Sequence, residues 1–229
     1  MVSNDVAALD AGESCAALLL TAKARVIAPL VVLRRSRADF LLLTEPGLGE
    51  RVRAELLRSR FASKAEIELE EHAAQVVFGG EGIPTEDYGE PAAEVLDSDL
   101  EETVARDELE LLRIRAGTPA WGAEVDDRVL PAEAGLVERA VDFDKGCYPG
   151  QEPIARLHYR GHANRGLRVL SLAEAPEPET EIHYAGRSVG RITSAAAAPE
   201  GALALAYVRR EVPEDAELDV GRIRARQLH

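Results

Sequence analysis

The run from Lys145 through Gly146, Cys147, Tyr148, Pro149, Gly150 and Gln151 to Glu152 surrounds its sulfur with small residues. Glycine on one side and Pro-Gly on the other keep bulk away from Cys147 and permit unusual backbone angles. An accessible thiol is predicted. Lys145, with Arg156 and Arg160 downstream, would favour the thiolate and improve Cys147 as a nucleophile or metal ligand, while Asp142, Asp144 and Glu152 oppose that shift. The sign of the balance is not set by these residues, and a small buried cysteine in a turn is the competing reading.

His158 and His162 share the four-residue spacing that places two metal ligands on one helix face. Tyr159, Arg160 and Gly161 between them argue against a stable helix. Even with Cys147 the set reaches three ligands, so surface histidines are preferred and no metal site is expected. A Cys-His nucleophile pair is conceivable, but no local signature orients the base. Arg156, Arg160, Arg165 and Arg168 interleave with His158, Tyr159 and His162 in an otherwise acidic chain. That mixture suits an anionic ligand with a flat ring, or an RNA loop, more than it suits solvated loop charge. The thiol is expected to face a pocket for such a ligand.

The elements that must hold these residues can be read from the hydropathy pattern. Cys15 to Leu20, Val26 to Leu33 and Phe40 to Leu43 are short apolar runs with polar breaks, consistent with consecutive strands and a hairpin at 34–39. Leu48, Val52, Leu56 and Leu57 mark a helix face closing near Ser59. Ala65 to Leu69 alternates as a strand and Gln75 to Phe78 is another, followed by a turn-rich loop over 79–84. The stretch 91–102 is acidic and turn-prone. A short helix over Asp107 to Arg115 stops at Gly117 and Pro119. Trp121 to Gly161 lacks regular periodicity and reads as long loops on a rigid support, where sites tend to lie.

Beyond residue 166 the pattern changes to five short strand candidates: Leu167 to Leu172, Glu181 to Tyr184, Ser188 to Thr193, Ala202 to Val208 and Glu217 to Gln227. A small antiparallel barrel or sandwich follows, with Ala195 to Ala198 read as part of a turn. The expected class is α+β: a mixed α/β region over 1–165 and a small C-terminal antiparallel β-barrel over 166–229.

Composition narrows the partners. The formal charge of −14 opposes attraction of polyanions to the surface as a whole, so nucleic acid would need a local basic patch. Cys15 and Cys147 lie far apart in unlike surroundings and do not suggest a disulfide framework. No apolar run approaches the roughly 20 residues that span a bilayer, and the first residues lack a secretory pattern. Cytoplasmic localisation without a membrane partner is expected. Arginines far outnumber the three lysines, Lys23, Lys64 and Lys145, as a GC-rich genome or a salt-adapted cytoplasm would produce.

The run from Arg113 to Gly166, with Trp121 and Glu124 at its start and the cysteine octet at its centre, resembles the YgfZ family, of which that octet is the hallmark. Gly186 to Ser194 and Ala202 to Val208 are similar to the barrel shared with the glycine cleavage T-protein. Val2 to Val6 resembles part of a family motif normally preceded by an opening strand and helix, so the resemblance implies a missing initial segment. It further implies a folate-binding protein with a central cavity, implicated in maintaining iron-sulfur enzymes and in tRNA modification. Cys147 takes the functional role by that resemblance. Lys145, Gly146, Tyr148, Gly150, Gln151 and Glu152 shape its loop, and Arg156, Arg160, Tyr159 and Trp121 are the candidate contacts to tetrahydrofolate or a derivative.

Departures from the aminomethyl-transferring relatives are equally informative. Those proteins carry an acidic pair where Ala28 and Pro29 stand here, and a glutamate where this chain has Arg115; they also lack the cysteine octet. Glycine cleavage activity is therefore disfavoured. Three readings follow: an accessory factor for iron-sulfur client proteins acting through Cys147, a folate-dependent one-carbon transferase with its carboxylate supplied elsewhere, and a folate-binding module without chemistry.

Overall fold

The computed structural model describes residues 1–60 and 64–228. The chain first forms a three-stranded antiparallel meander, β1 (Ser14–Leu20), β2 (Val26–Ser36) and β3 (Asp39–Leu43), in that spatial order. Side chains alternate across a strand, and β1 is apolar at successive positions because both its faces are covered. Ala17 and Leu19 pack with Val52 and Leu56 of α1 (Gly49–Ser59), whereas Leu18 and Leu20 pack with Val125, Val129, Tyr148 and Ile154 from the middle of the chain. One strand thus joins the first sheet to the cysteine octet.

The expected strand over Ala65 to Leu69 is absent. Its backbone pairs with no strand among the described residues; Arg53 Nε donates to the Ile67 carbonyl and Arg60 Nη1 to that of Ala65, at 3.1 and 2.8 Å. A second sheet follows, β4 (Ala74–Phe78), β5 (Ile83–Thr85) and β6 (Ala92–Leu96), ordered β4-β6-β5. The strand β6 lies in the stretch read as acidic turn. Its buried Ala92 and Ala93 meet Phe78 and Val77 across the ladder, and pairing with β4 and β5 on its two sides outweighs the poor strand propensity of Glu94.

The helix α2 (Arg106–Arg115) places Ile114, fully buried, against Leu203 and Leu205. Two further helices, α3 (Val137–Ala140) and α4 (Gln151–Arg160), interrupt the expected loops. The argument against helix at Tyr159 and Arg160 is overturned: both belong to α4, and Gly161 caps its end by donating its N–H to the Leu157 carbonyl. Only Ile154 of α4 is fully buried, which explains the weak periodic signal.

The remaining strands are β7 (Arg165–Leu172), β8 (Glu181–Tyr184), β9 (Arg187–Ala198), β10 (Gly201–Arg209), β11 (Leu218–Val220) and β12 (Ile223–Leu228). They close into an antiparallel barrel ordered β10-β7-β12-β11-β8-β9, which leaves no free edge. Ala195 to Ala198 is the end of β9, paired with β10, and not a turn. The last expected strand is a hairpin of β11 and β12. Along β10, Ala204, Ala206 and Val208 fill the barrel. Leu203, Leu205 and Tyr207 point outward, yet are buried against the middle of the chain. The mixed α+β class with a C-terminal barrel is thus observed. No helix among the described residues is long and apolar enough to cross a membrane.

Candidate functional site

The octet is clamped at both ends and open in the middle. At its start, Lys145 Nζ donates to the carbonyls of Val2 and Asn4 at 2.7 and 2.8 Å, and lies 5.5 Å from the centre of the Tyr148 ring. Asp142 Oδ1 accepts the backbone N–H groups of Asp144 and Lys145 at 2.7 and 3.2 Å, and the Asp142 N–H donates to Ser3 O at 3.0 Å. Ser3, fully buried, donates its Oγ hydrogen to Ala140 O and accepts the Leu18 N–H at 2.7 Å. The N-terminal segment is therefore stitched between β1 and the octet. Burial pulls the Lys145 ammonium below its ordinary value, against the charges of Asp5, Asp142 and the Cys15 thiol.

At the other end, Gly150 has φ +84°, and a Cβ there would stand 2.7 Å from the carbonyl oxygen of Thr21. Only glycine allows both the left-handed backbone and that approach to the turn between β1 and β2. Gln151 and Glu152 then open α4, with Glu152 exposed in its first turn, where an acidic side chain suits the helix dipole. Between the clamps a methyl group at Gly146 would meet no atom within 4 Å, and Cys147 is exposed. The Tyr148 ring is buried among Leu18, Val26 and Ile154, but its hydroxyl has no hydrogen-bond partner. Burial, then Asp142, push that phenol up from its ordinary value.

The other sequence candidates fall on different surfaces. Arg156, Arg160 and Tyr159 are exposed on α4, Tyr159 at 68%. Phe143 stacks on His158 at 4.3 Å between centroids, and both rings meet Tyr159 edge-on. Trp121, half-buried, packs against the groups on both sides of β1. His158 and His162 line a hollow of about 140 Å³ with Val137 and Leu157. A larger cleft of about 470 Å³ continues past His162 to Arg165, Arg168 and Arg210. Cys147 lines neither, so its sulfur is open to the surface and not directed into these hollows. Among the described residues no group of three or more His, Cys, Asp or Glu could hold a metal ion.

Two features were given no role by the sequence. Glu124 is buried; its Oε2 accepts from Arg113 at 3.1 Å and from the Ala120 N–H at 2.9 Å, its Oε1 accepts the Ser194 hydroxyl at 2.6 Å, and its carbonyl accepts Tyr207 Oη at 2.8 Å. This node ties β9 and β10 to the middle of the chain. The second is a carboxylate group made by Glu45, Asp87 and Glu94 beside Tyr88. Burial first, then neighbouring negative charge, raise Glu45 and Glu94 and push Tyr88 up to about 12. Asp87 is paired with Arg139. Ala28 lies in the core, Pro29 O accepts from Thr44 Oγ1 at 2.9 Å, and Glu45 follows directly. Arg115 is exposed at the end of α2.

No protein-family model matches the chain. It is 42% identical over 62 residues to a tRNA-modifying protein YgfZ of Buchnera aphidicola, covering 27% of this chain and 19% of that protein. An aminomethyltransferase of Moorella thermoacetica is 36% identical over 90 residues, 38% of this chain and 24% of the relative. The matched stretches thus span a quarter or less of these two curated relatives. The crystal structure of glycine cleavage system aminomethyltransferase T from Bartonella henselae superposes with a TM-score of 0.83 at 20% identity, over 100% of this chain and 78% of that one, which establishes a common fold. Over local stretches the chain is thus similar to YgfZ proteins and to an aminomethyltransferase, and over its described length it shares the fold of the glycine cleavage T-protein.

Proposed function

We propose that this chain is a folate-binding YgfZ-like protein that supports the assembly or repair of iron-sulfur proteins through the Cys147 thiol, and through them tRNA modification. The observation that carries the reading is an exposed thiol on a loop immobilised on both sides, by Lys145 and by Gly150. Immobilised flanks present one sulfur geometry to a client, which lowers the ordering cost of an encounter.

A reduced folate fits the polar groups present in one respect visible here. The Tyr148 hydroxyl is a buried hydrogen-bonding group without a partner, and such groups ordinarily have one. Tyr148 would hold a polar ring atom; Arg156 and Arg160, exposed on α4, are the candidates for the glutamate carboxylates by resemblance, as Trp121 and Tyr159 are for the ring. When bound, a reduced folate carries one-carbon units on its ring nitrogens.

Cys147→Ala is expected to abolish the protein's support of cellular iron-sulfur enzymes while leaving tetrahydrofolate binding measurable by calorimetry. Unchanged enzyme activities in the variant strain would remove the thiol from the mechanism, and absence of heat with tetrahydrofolate would remove the folate.

A second reading, a folate-dependent one-carbon transferase, draws support from Glu45. This carboxyl follows Thr44, which is bonded to Pro29, and its proton is held more tightly than usual by burial and by Asp87. It could replace the acid that relatives carry at the Ala28-Pro29 position. Transfer of a one-carbon unit from an aminomethyl donor, lost in Glu45→Gln, is the outcome this reading requires.

A further inference from the structure

The cleft between β7, β12 and the 161–164 connection shares no residue with the cysteine octet. It begins where α4 ends, and the last eight residues of that helix separate it from the octet by about 12 Å. Its volume of about 470 Å³ falls within the ordinary range for small-molecule sites. Arg165 is spent on Glu133, at 3.1 Å. Arg168 differs: half-buried, it donates to neutral acceptors alone among the described residues, Gln227 Oε1 and the carbonyls of Val212 and Arg209. Burial pulls it below its ordinary value, and Glu214 only partly offsets that. Arg210, also lining the cleft, forms no ion pair among the described residues.

Arg168 and Arg210 thus bring two guanidinium groups with no ion pair among the described residues to one cleft of a chain of net charge −14. A half-buried charge is costly unless it is compensated, and an oxyanion is the group that guanidinium geometry compensates best. Ala132, Ala163 and Leu228, the last 44% exposed, supply apolar surface in the same cleft.

We propose that this cleft is a second ligand site, taking a small molecule that joins an apolar body to a phosphate or carboxylate, with Arg168 and Arg210 holding the oxyanion. Glu214 and His162 line the same cleft, and the Glu214 carboxylate disfavours ligands of high charge density. The site stands independently of the folate reading, because it uses neither Cys147 nor Arg156 and Arg160.

The test is calorimetric titration of the full chain at low salt with inorganic phosphate, adenosine 5′-monophosphate and a γ-linked glutamate trimer. At least one probe is expected to bind, and the probe preferred identifies the oxyanion source. Arg210→Gln and Arg168→Gln are each expected to weaken binding by about tenfold or more. Arg187→Gln removes the same charge from an exposed position on β9 and is expected to leave binding unchanged. No heat from any probe at millimolar concentration, or equal weakening by all three variants, overturns the proposal. Because Arg210 is exposed, its variant reads binding even if Arg168→Gln fails to fold.

Discussion

The ammonium of Lys145 lies 2.7 Å from the carbonyl oxygen of Val2 and 2.8 Å from that of Asn4. Its three donors are thereby directed largely at backbone across 143 residues of sequence, so its first role is to hold the N-terminal segment against the octet. Lys145→Met keeps the length of the side chain and removes the donors. The expected loss is about 1–3 kcal/mol in urea unfolding, as for hydrogen bonds to a charged group. The initial rate of Cys147 alkylation is expected to change by less than about threefold; a much larger fall would make Lys145 an activator of the thiol.

Gly150 and Gly146 flank the same sulfur but answer to different constraints. Gly150→Ala forces a Cβ against Thr21 O on a left-handed backbone. A loss of about 2 kcal/mol or more is expected. Gly146→Ala meets no atom, and its unfolding midpoint should match that of the parent chain. Slower labelling of Cys147 in Gly146→Ala, at unchanged stability, would show that this glycine serves access and not folding.

The two thiols should separate kinetically. Cys147 is exposed, whereas Cys15 is half-buried, with burial raising its thiol above the ordinary value despite the counteracting charge of Lys145. A disulfide reagent at neutral pH is expected to give one fast and one slow phase, at least about tenfold apart. Cys147→Ala should delete the fast phase alone; loss of the slow phase instead would reverse the assignment.

Glu124 is the polar anchor between the barrel and the rest of the chain. Glu124→Ala leaves Arg113, Ser194 and the Ala120 N–H without their shared acceptor. Removing one member of a buried ion pair costs about 3–5 kcal/mol. Urea unfolding of the variant should show a loss of that order. A loss below about 1 kcal/mol would mean that water replaces the carboxylate and that apolar contacts of Ile114 with β10 carry the junction.

These junctions explain what could be read in advance. The strands β1 and β10 were legible because burial on both faces demands apolar residues at successive positions, as in Leu18–Leu19–Leu20 and Leu203–Ala204–Leu205. The strand β6 was hidden, since Glu94 interrupts its apolar run and its stability comes from neighbours on both edges. Helix α4 was hidden because one buried residue, Ile154, leaves no period to detect. For the candidate site, small residues around Cys147 foretold exposure correctly. The direction of Lys145 could not be read, because its partners, Val2 and Asn4, lie at the far end of the chain.

Glu94 gives the pH dependence its sign. Burial raises its carboxyl above the ordinary value of 4.5, and Asp87 and Glu45 raise it further by repulsion. A proton held more tightly in the folded than in the unfolded chain contributes stability that is complete below 4.5 and is lost as pH rises through the higher folded value. At neutral pH the ionised carboxylate is therefore a burden on the folded state. Glu94→Gln removes the titration while keeping the shape. Its urea midpoint should exceed that of the parent chain at neutral pH, and the gap should close as pH falls below the unfolded glutamate value. A gap that stays constant with pH would assign the effect to altered packing in β6; a lower midpoint at neutral pH would mean that the ionised carboxylate is stabilised there by a cation.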